Sequence, residues 1–490
     1  MQDETQPQFH RSLGLLDGTM LVAGGMIGSG IFIVSADCAR SVGASGWMLL
    51  LWLLAGVITI MAALSYGELA GMMPKAGGQF VYIERAYGKL PAFMYGWTVF
   101  TVIQTGTIAA VAVAFAKFTA YFFPALGPQH VLLDFGFLQI SAGQLFAIGM
   151  IVLLTAVNSQ GIQSGKLIQL VFTSAKLLAL LALIVLGLAI GLQTDVFARN
   201  WENAWQATQT VQTSEGWFTT PLAGFALLMT FGAALIGPLF SSDAWNNVTF
   251  VAGEMKNPRR NIPLSLLFGT CIVTGLYILA NVAYLALLPL HGDPAATDAI
   301  GQGIQFAGGG TDRVGTSAAS MIFGGLAAAI MAGLIMVSTF GCNNGIILAG
   351  ARVYYAMAKE GLFFKKAATL NARGVPGFAL MIQAVWASIL CLSGTYNALL
   401  TYCTFASLMF YIVTIGGIFI LRRKEPDAER PYRVLAYPYL PALYMLLAGA
   451  ICVILLVEKP RDTWSGVFIV LLGIPVYYLQ KRFSKGITTE

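Results

Sequence analysis

Charge is scarce in this chain. Only 10% of its 490 residues are Asp, Glu, Lys or Arg, where a soluble domain carries about 25%. Histidine is scarcer: His10, His130 and His291 all fall outside the apolar runs. No cluster of titratable groups gathers at one depth, which argues against a membrane-embedded enzyme. There is no HExxH, no nucleophile elbow, no phosphate loop and no paired-carboxylate pattern. The runs Gly308-Gly309-Gly310 and Gly324-Gly325 lack the strand–turn–helix context of a nucleotide site. The six cysteines (Cys38, Cys271, Cys342, Cys391, Cys403 and Cys452) lie in or at the edge of apolar runs without metal-ligand spacing. They read as small buried side chains. Neither a metal nor a cofactor is expected. Long polar stretches are also missing. The longest, 192–220 and 291–318, leave no room for a soluble domain. The short, acidic, polar N-terminus does not read as a cleavable signal peptide.

What the chain has is apolar residues, 57% of the total. Runs long enough to span a bilayer recur along its length. Twelve spans are expected near 15–43, 47–69, 93–122, 142–157, 167–190, 222–251, 264–290, 321–356, 378–392, 399–421, 440–457 and 464–479. The fourth, ninth and twelfth are the shortest. With the N-terminus in the cytoplasm, the basic residues crowd into the cytoplasmic loops, above all Arg422, Arg423, Lys424, Arg430 and Arg433. That asymmetry satisfies the positive-inside rule and places both termini inside. The net charge of +6 therefore reflects loops facing the cytoplasm and does not imply nucleic acid.

Two of the runs are interrupted by residues that weaken a helix. The first break is Ile27-Gly28-Ser29-Gly30-Ile31, preceded by Gly24 and Gly25. The second is the stretch from Gly237 and Pro238 through Phe240, Ser241, Ser242 and Asp243 to Trp245. Unwound backbone at membrane depth must line a cavity or a ligand. A matched pair of broken helices is the best sequence pointer to a transporter's substrate site. Five spans separate the breaks, and five is odd. The second group of five then enters the membrane upside down, so residues 11–192 and 216–424 read as inverted repeats, with 436–482 as two added helices.

The amides that open the second half of the first broken helix, at Ser29 to Ile31, suit a carboxylate. The carbonyls exposed near Phe240 suit an ammonium group. Together they describe a receptor for an α-amino acid. Close helix packing would use the same glycines, but packing does not call for Ser241, Ser242 or Asp243. Phe240 and Trp245 flank the second break, either as packing or as a lid. Lys176 stands at mid-membrane depth in the fifth span, where a lysine costs ~2.5–3.5 kcal/mol. It must find carbonyls or hydroxyls on neighbouring helices. A fixed ammonium could bridge them as a bound sodium ion would. A channel, the remote alternative, would need a continuous polar lining that is absent.

Four motifs then carry a resemblance. They are Gly28-Ser29-Gly30-Ile31-Phe32; Tyr66-Gly67-Glu68-Leu69 with Pro74-Lys75-Ala76-Gly77-Gly78 and Tyr82; Trp245-Asn246-Asn247 with Glu254 and Lys256-Asn257-Pro258-Arg259; and Glu425-Pro426 through Glu429-Arg430-Pro431. Nearly the whole chain resembles the amino acid–polyamine–organocation superfamily, and within it the L-type amino acid transporters. The resemblance implies an all-α integral membrane protein of twelve transmembrane helices. Its fold would be a LeuT-like 5+5 inverted repeat with broken helices one and six, working by alternating access. It implies sodium-independent movement of L-α-amino acids, most of all neutral ones, by exchange. Cationic amino acids or polyamines, with exchange or proton coupling, form the alternative. It implies that Lys176 occupies a sodium position, with Gly28, Ser338 and Tyr284 as partners. Animal members bind a heavy subunit through a cysteine between helices three and four. Residues 123–141 contain none, so no disulfide-linked heavy subunit is expected and a prokaryotic cell membrane fits. The expected partners are a small amino acid and the bilayer.

Overall fold

The computed structural model describes residues 11–127, 130–134, 139–393 and 396–486; His10 lies outside them. Among the described residues, ten helices are long and apolar enough to cross a membrane, and one bent pair makes an eleventh. The remaining expected span, near 378–392, is a helix of 17 residues, Gly377–Ser393. Its length is at the lower limit for a spanning helix. We number these helices in chain order as segments, and the short helix, which is not among the candidate spans, takes its place as segment nine.

Segment one is two helices, Leu15–Met26 and Gly30–Val42, bent by 41°. Its first half is buried against segment five (Ile162–Gly191), segment seven (Pro258–Leu287) and segment eight (Gly325–Lys359). Segment two (Ser45–Met72) packs along segment seven. Segment three, Lys89–Thr119, lies against segment eight. Segment six begins as Gly224–Ala234, continues as Ile236–Ser241 and loses its helix after Ser241. Segment ten (Tyr396–Lys424) packs on this second piece. Segments eleven (Tyr439–Glu458) and twelve (Pro460–Gly486) lie against segments ten, six and three. A helix satisfies its own backbone within one segment, which is what a long apolar run at membrane depth requires.

Two β-hairpins stand outside the expectation of an all-helical chain. Val131–Asp134 pairs with Gln139–Ser141, and Thr208–Thr213 with Gly216–Pro221. The second lies in a stretch read from sequence only as polar loop. Its first strand is built of threonine, glutamine and valine, and Gly216 takes the left-handed φ of 126° at the turn. The helix before it, Val196–Glu202, places Asn200, whose amide donates to the carbonyls of Leu285 and Leu288 at 2.8 and 2.9 Å. This caps the end of segment seven.

Glu68, near the inner end of segment two, is buried: its side chain is only 1% exposed. Arg422 donates to both its oxygens, at 2.9 and 2.7 Å, and the Val434 amide donates at 2.8 Å. A buried carboxylate needs such a set of donors to offset its desolvation. The chain after segment ten is thereby tied to segment two.

Candidate functional site

The break in segment one follows from Gly28 and its flanks. Ile27 still donates to Ala23, but Gly28 donates back to Met26 and the helix restarts at Gly30. Five successive carbonyls thereby lose part of their helical pairing, and donors from other segments come to face them. The Lys176 ammonium donates to Gly24 and, at 2.6 Å, to Ile27. The Cys342 thiol donates to Gly25 at 3.1 Å and the Tyr277 hydroxyl to Met26 at 2.8 Å. The Ser338 hydroxyl donates to Ile27 at 3.1 Å and lies 3.4 Å from the Gly28 oxygen. Segments five, seven and eight thus hold the broken end.

Lys176 is 1% exposed. Each bond to its charge is worth about 1.5–3 kcal/mol, so two such bonds are enough to offset an insertion cost of ~2.5–3.5 kcal/mol. The expected partner set changes in detail. The carbonyls that Lys176 reaches belong to Gly24 and Ile27, not Gly28, and Ser338 meets it through the shared Ile27 oxygen. Tyr284 serves another carbonyl, that of Ile31, at 3.4 Å.

The second break faces the first. Ser241 donates its hydroxyl to Gly237 and accepts Tyr277 on its carbonyl at 3.1 Å. Tyr277 therefore joins Met26 to Ser241 across the two breaks. After Ser242 the chain turns through Ala244, whose φ of 66° is unusual for a residue with a side chain. Such strain collects at ligand clamps. The Asp243 carboxylate accepts the Tyr411 hydroxyl at 2.5 Å and the Ser407 hydroxyl at 3.2 Å, both from segment ten.

Of the ten residues expected to bind substrate, Gly28, Ser29, Gly30, Phe240, Ser241 and Asp243 line one small space. The other four do not. Ile27 and Ile31 are fully buried and contribute carbonyls. Ser242 is buried. Trp245 packs edge-on to Tyr66 at 4.8 Å and against Tyr411 at 5.2 Å. Cys342, Thr107 and Ile346 line the same space, and sequence reasoning missed them together with Tyr277, Ser407 and Tyr411. No motif marks these residues. A hydroxyl or thiol every few turns of a long apolar helix was the only signal available.

The space is small, about 20 Å³, room for a water molecule and not for an amino acid. Two further spaces of about 20 Å³ each adjoin it. All three share Asp243 as a wall. Among the described residues, no group of His, Cys, Asp or Glu is arranged to hold a metal ion.

A bundle of membrane helices with two broken segments meeting at a small buried space has the architecture of a transporter. The chain belongs to the amino acid permease family, whose profile matches residues 13–477. It is 27% identical over 494 aligned residues to the b(0,+)-type amino acid transporter 1 of Homo sapiens, covering 99% of this chain and 91% of that one. The large neutral amino acids transporter small subunit 2 of Homo sapiens is 28% identical over 475 residues, 96% of this chain and 80% of its own. The serine/threonine exchanger SteT of Bacillus subtilis is 29% identical over 479 residues, 96% and 97% of the two chains.

Proposed function

We propose that this protein moves L-α-amino acids across a cell membrane by sodium-independent exchange, with neutral amino acids as the main substrates. The observation that carries the reading is the Lys176 bridge. A tethered ammonium joins segment five to the carbonyls of Gly24 and Ile27. A second cation there would meet an occupied set of oxygens and a like charge. Coupling to sodium at that place is therefore disfavoured.

The substrate carboxylate is received by the first-turn amides at Gly30 and Ile31, where a helix N-terminus lacks intrahelical acceptors. The ammonium is received by carbonyls at the end of the helix through Ser241. Phe240 shares this space and covers the bound substrate. The small spaces around Asp243 merge when the substrate enters. Residues 11–192 and 216–424 act as inverted repeats that rock around the two breaks, with 436–482 peripheral. The basic loops face the cytoplasm of a plasma membrane, and both termini lie there. The relatives named for exchange and for neutral amino acids support this direction.

One observation favours a second reading. Asp243 brings a carboxylate to the wall of the space, which would suit a cationic amino acid. Uptake of a panel of labelled amino acids into liposomes holding the purified chain alone tests both. Uptake of neutral amino acids should require internal amino acid and persist when choline replaces sodium. Strict sodium dependence, or a strict need for a second polypeptide, would refute the first reading. Preference for lysine and arginine would establish the second.

A further inference from the structure

Far from the breaks, segment four (Ala142–Ser159) and segment nine enclose a groove on the outer face of the bundle, with about 580 Å³ of open space. Leu380 and Ala384 are buried at its floor, while Val152, Met381 and Val385 on its walls are more than half exposed. In a bilayer this face meets lipid. A void there would forfeit dispersion contacts along its whole length. The lining on segment nine runs from Gly377 to Leu392, about 22 Å at 1.5 Å per residue. One leaflet of hydrocarbon is about 15 Å deep. A single acyl chain fits along the groove from one interface.

One end of the groove has a distinct chemistry. Ser159 closes segment four and Gly377 opens segment nine, so both mark the same end. The connection before Gly377 crosses it. Asn371 donates its amide to the Ser159 carbonyl at 3.1 Å, and Arg373 reaches the Gln160 carbonyl at 3.5 Å. From Gly361 to Gly377 this connection carries Lys365, Lys366 and Arg373 and no acidic residue. All three cations are exposed. Arg373 at that end, with Lys365 and Lys366 on the short helix Lys365–Ala368 that packs against segments eight and nine, complements a lipid with a negative headgroup, since each nearby Lys or Arg adds attraction at the interface.

We propose that the groove between segments four and nine is a binding site for an anionic phospholipid, with its chain along Ala384 and its phosphate at Lys365, Lys366 and Arg373. The site is separate from the two breaks, and its test does not depend on transport. The full chain is purified in detergent and its thermal midpoint is measured with added dioleoyl phosphatidylglycerol or dioleoyl phosphatidylcholine. Phosphatidylglycerol should raise the midpoint by several degrees and phosphatidylcholine by clearly less. The triple variant K365Q/K366Q/R373Q should erase the difference. Ala156→Leu, which fills the groove from an exposed position, should reduce the effect of both lipids. Inorganic phosphate should have no effect. The proposal is overturned if both lipids act equally on the wild type, if phosphate alone reproduces the shift, or if the shift survives both variants. Mass spectrometry of the wild type released from mixed micelles gives a check that needs no variant. Retention of phosphatidylglycerol over phosphatidylcholine is expected, and no preference overturns the proposal. So does an efficient disulfide through Val385→Cys to a second copy, which would make the groove a helix-docking face.

Discussion

Gly30 and Ser241 meet so closely that a β-carbon on Gly30 would stand 2.1 Å from the Ser241 hydroxyl oxygen and 2.9 Å from its Cα. The two broken segments thus touch directly, backbone to backbone. At Gly28 the nearest atom to such a carbon is the Cys342 sulfur, at 3.1 Å.

The two glycines should therefore fail differently. Gly30→Val pushes segment six away, and overpacking of this size costs at least ~1–3 kcal/mol. Its yield and thermal midpoint should fall together with transport. Gly28→Ala asks only a thiol to shift. It should keep near wild-type thermal stability and lose substrate affinity. Wild-type uptake kinetics in Gly28→Ala would remove the first break from the substrate site.

Lys176→Ala removes donors from the Gly24 and Ile27 carbonyls. A buried group left without its partner costs about 1–3 kcal/mol, and a factor of ten in an equilibrium is about 1.4 kcal/mol. Transport in liposomes should drop about five- to a hundredfold. Replacing sodium by choline should change nothing in the wild type. Full activity of Lys176→Ala would contradict the bridge.

Asp243 is held by Tyr411 at 2.5 Å and Ser407 at 3.2 Å. If its role is to tie segment ten to the second break, Asp243→Asn and Tyr411→Phe should each slow uptake of neutral amino acids. The double variant should then be little worse than either single one, because residues in one network are not additive. Uptake rates of leucine, serine and lysine distinguish the roles. A loss confined to lysine and arginine would instead assign Asp243 to a substrate cation.

Two ion pairs of the same residue types should differ in weight. Removing one partner of a buried pair costs about 3–5 kcal/mol, so Glu68→Ala should lower the thermal midpoint strongly. The Arg85–Glu425 pair is half exposed, at 46% and 30%, and such pairs are worth roughly 0–1 kcal/mol. Glu425→Ala should barely register. The Arg85 guanidinium holds the Glu425 carboxyl below the usual carboxylate range. A lowered native value means its small contribution is present above the unfolded carboxylate range. It is lost as pH falls through the native value. Thermal midpoints of wild type and Glu425→Ala should therefore converge in acid.

The apolar runs, the two breaks and the odd Lys176 were legible in the sequence because each violates or obeys a local rule. Apolar length demands a helix in lipid, glycine and proline interrupt one, and a mid-membrane ammonium must be paired. These rules act along the chain and need no knowledge of neighbours. What pairs with what was decided only by the tertiary structure. The Lys176 carbonyls, the Tyr277 bridge from Met26 to Ser241, and the hold of segment ten on Asp243 join residues far apart in the chain. A hydroxyl on an apolar helix can bond its own backbone instead, as Thr270 and Thr404 do. Its residue type therefore carries no signal of which choice it makes. Glu68 shows the same limit. Nothing in its local sequence names its partners, and only Arg422 at the end of segment ten and Arg430 just beyond it make it a buried anchor.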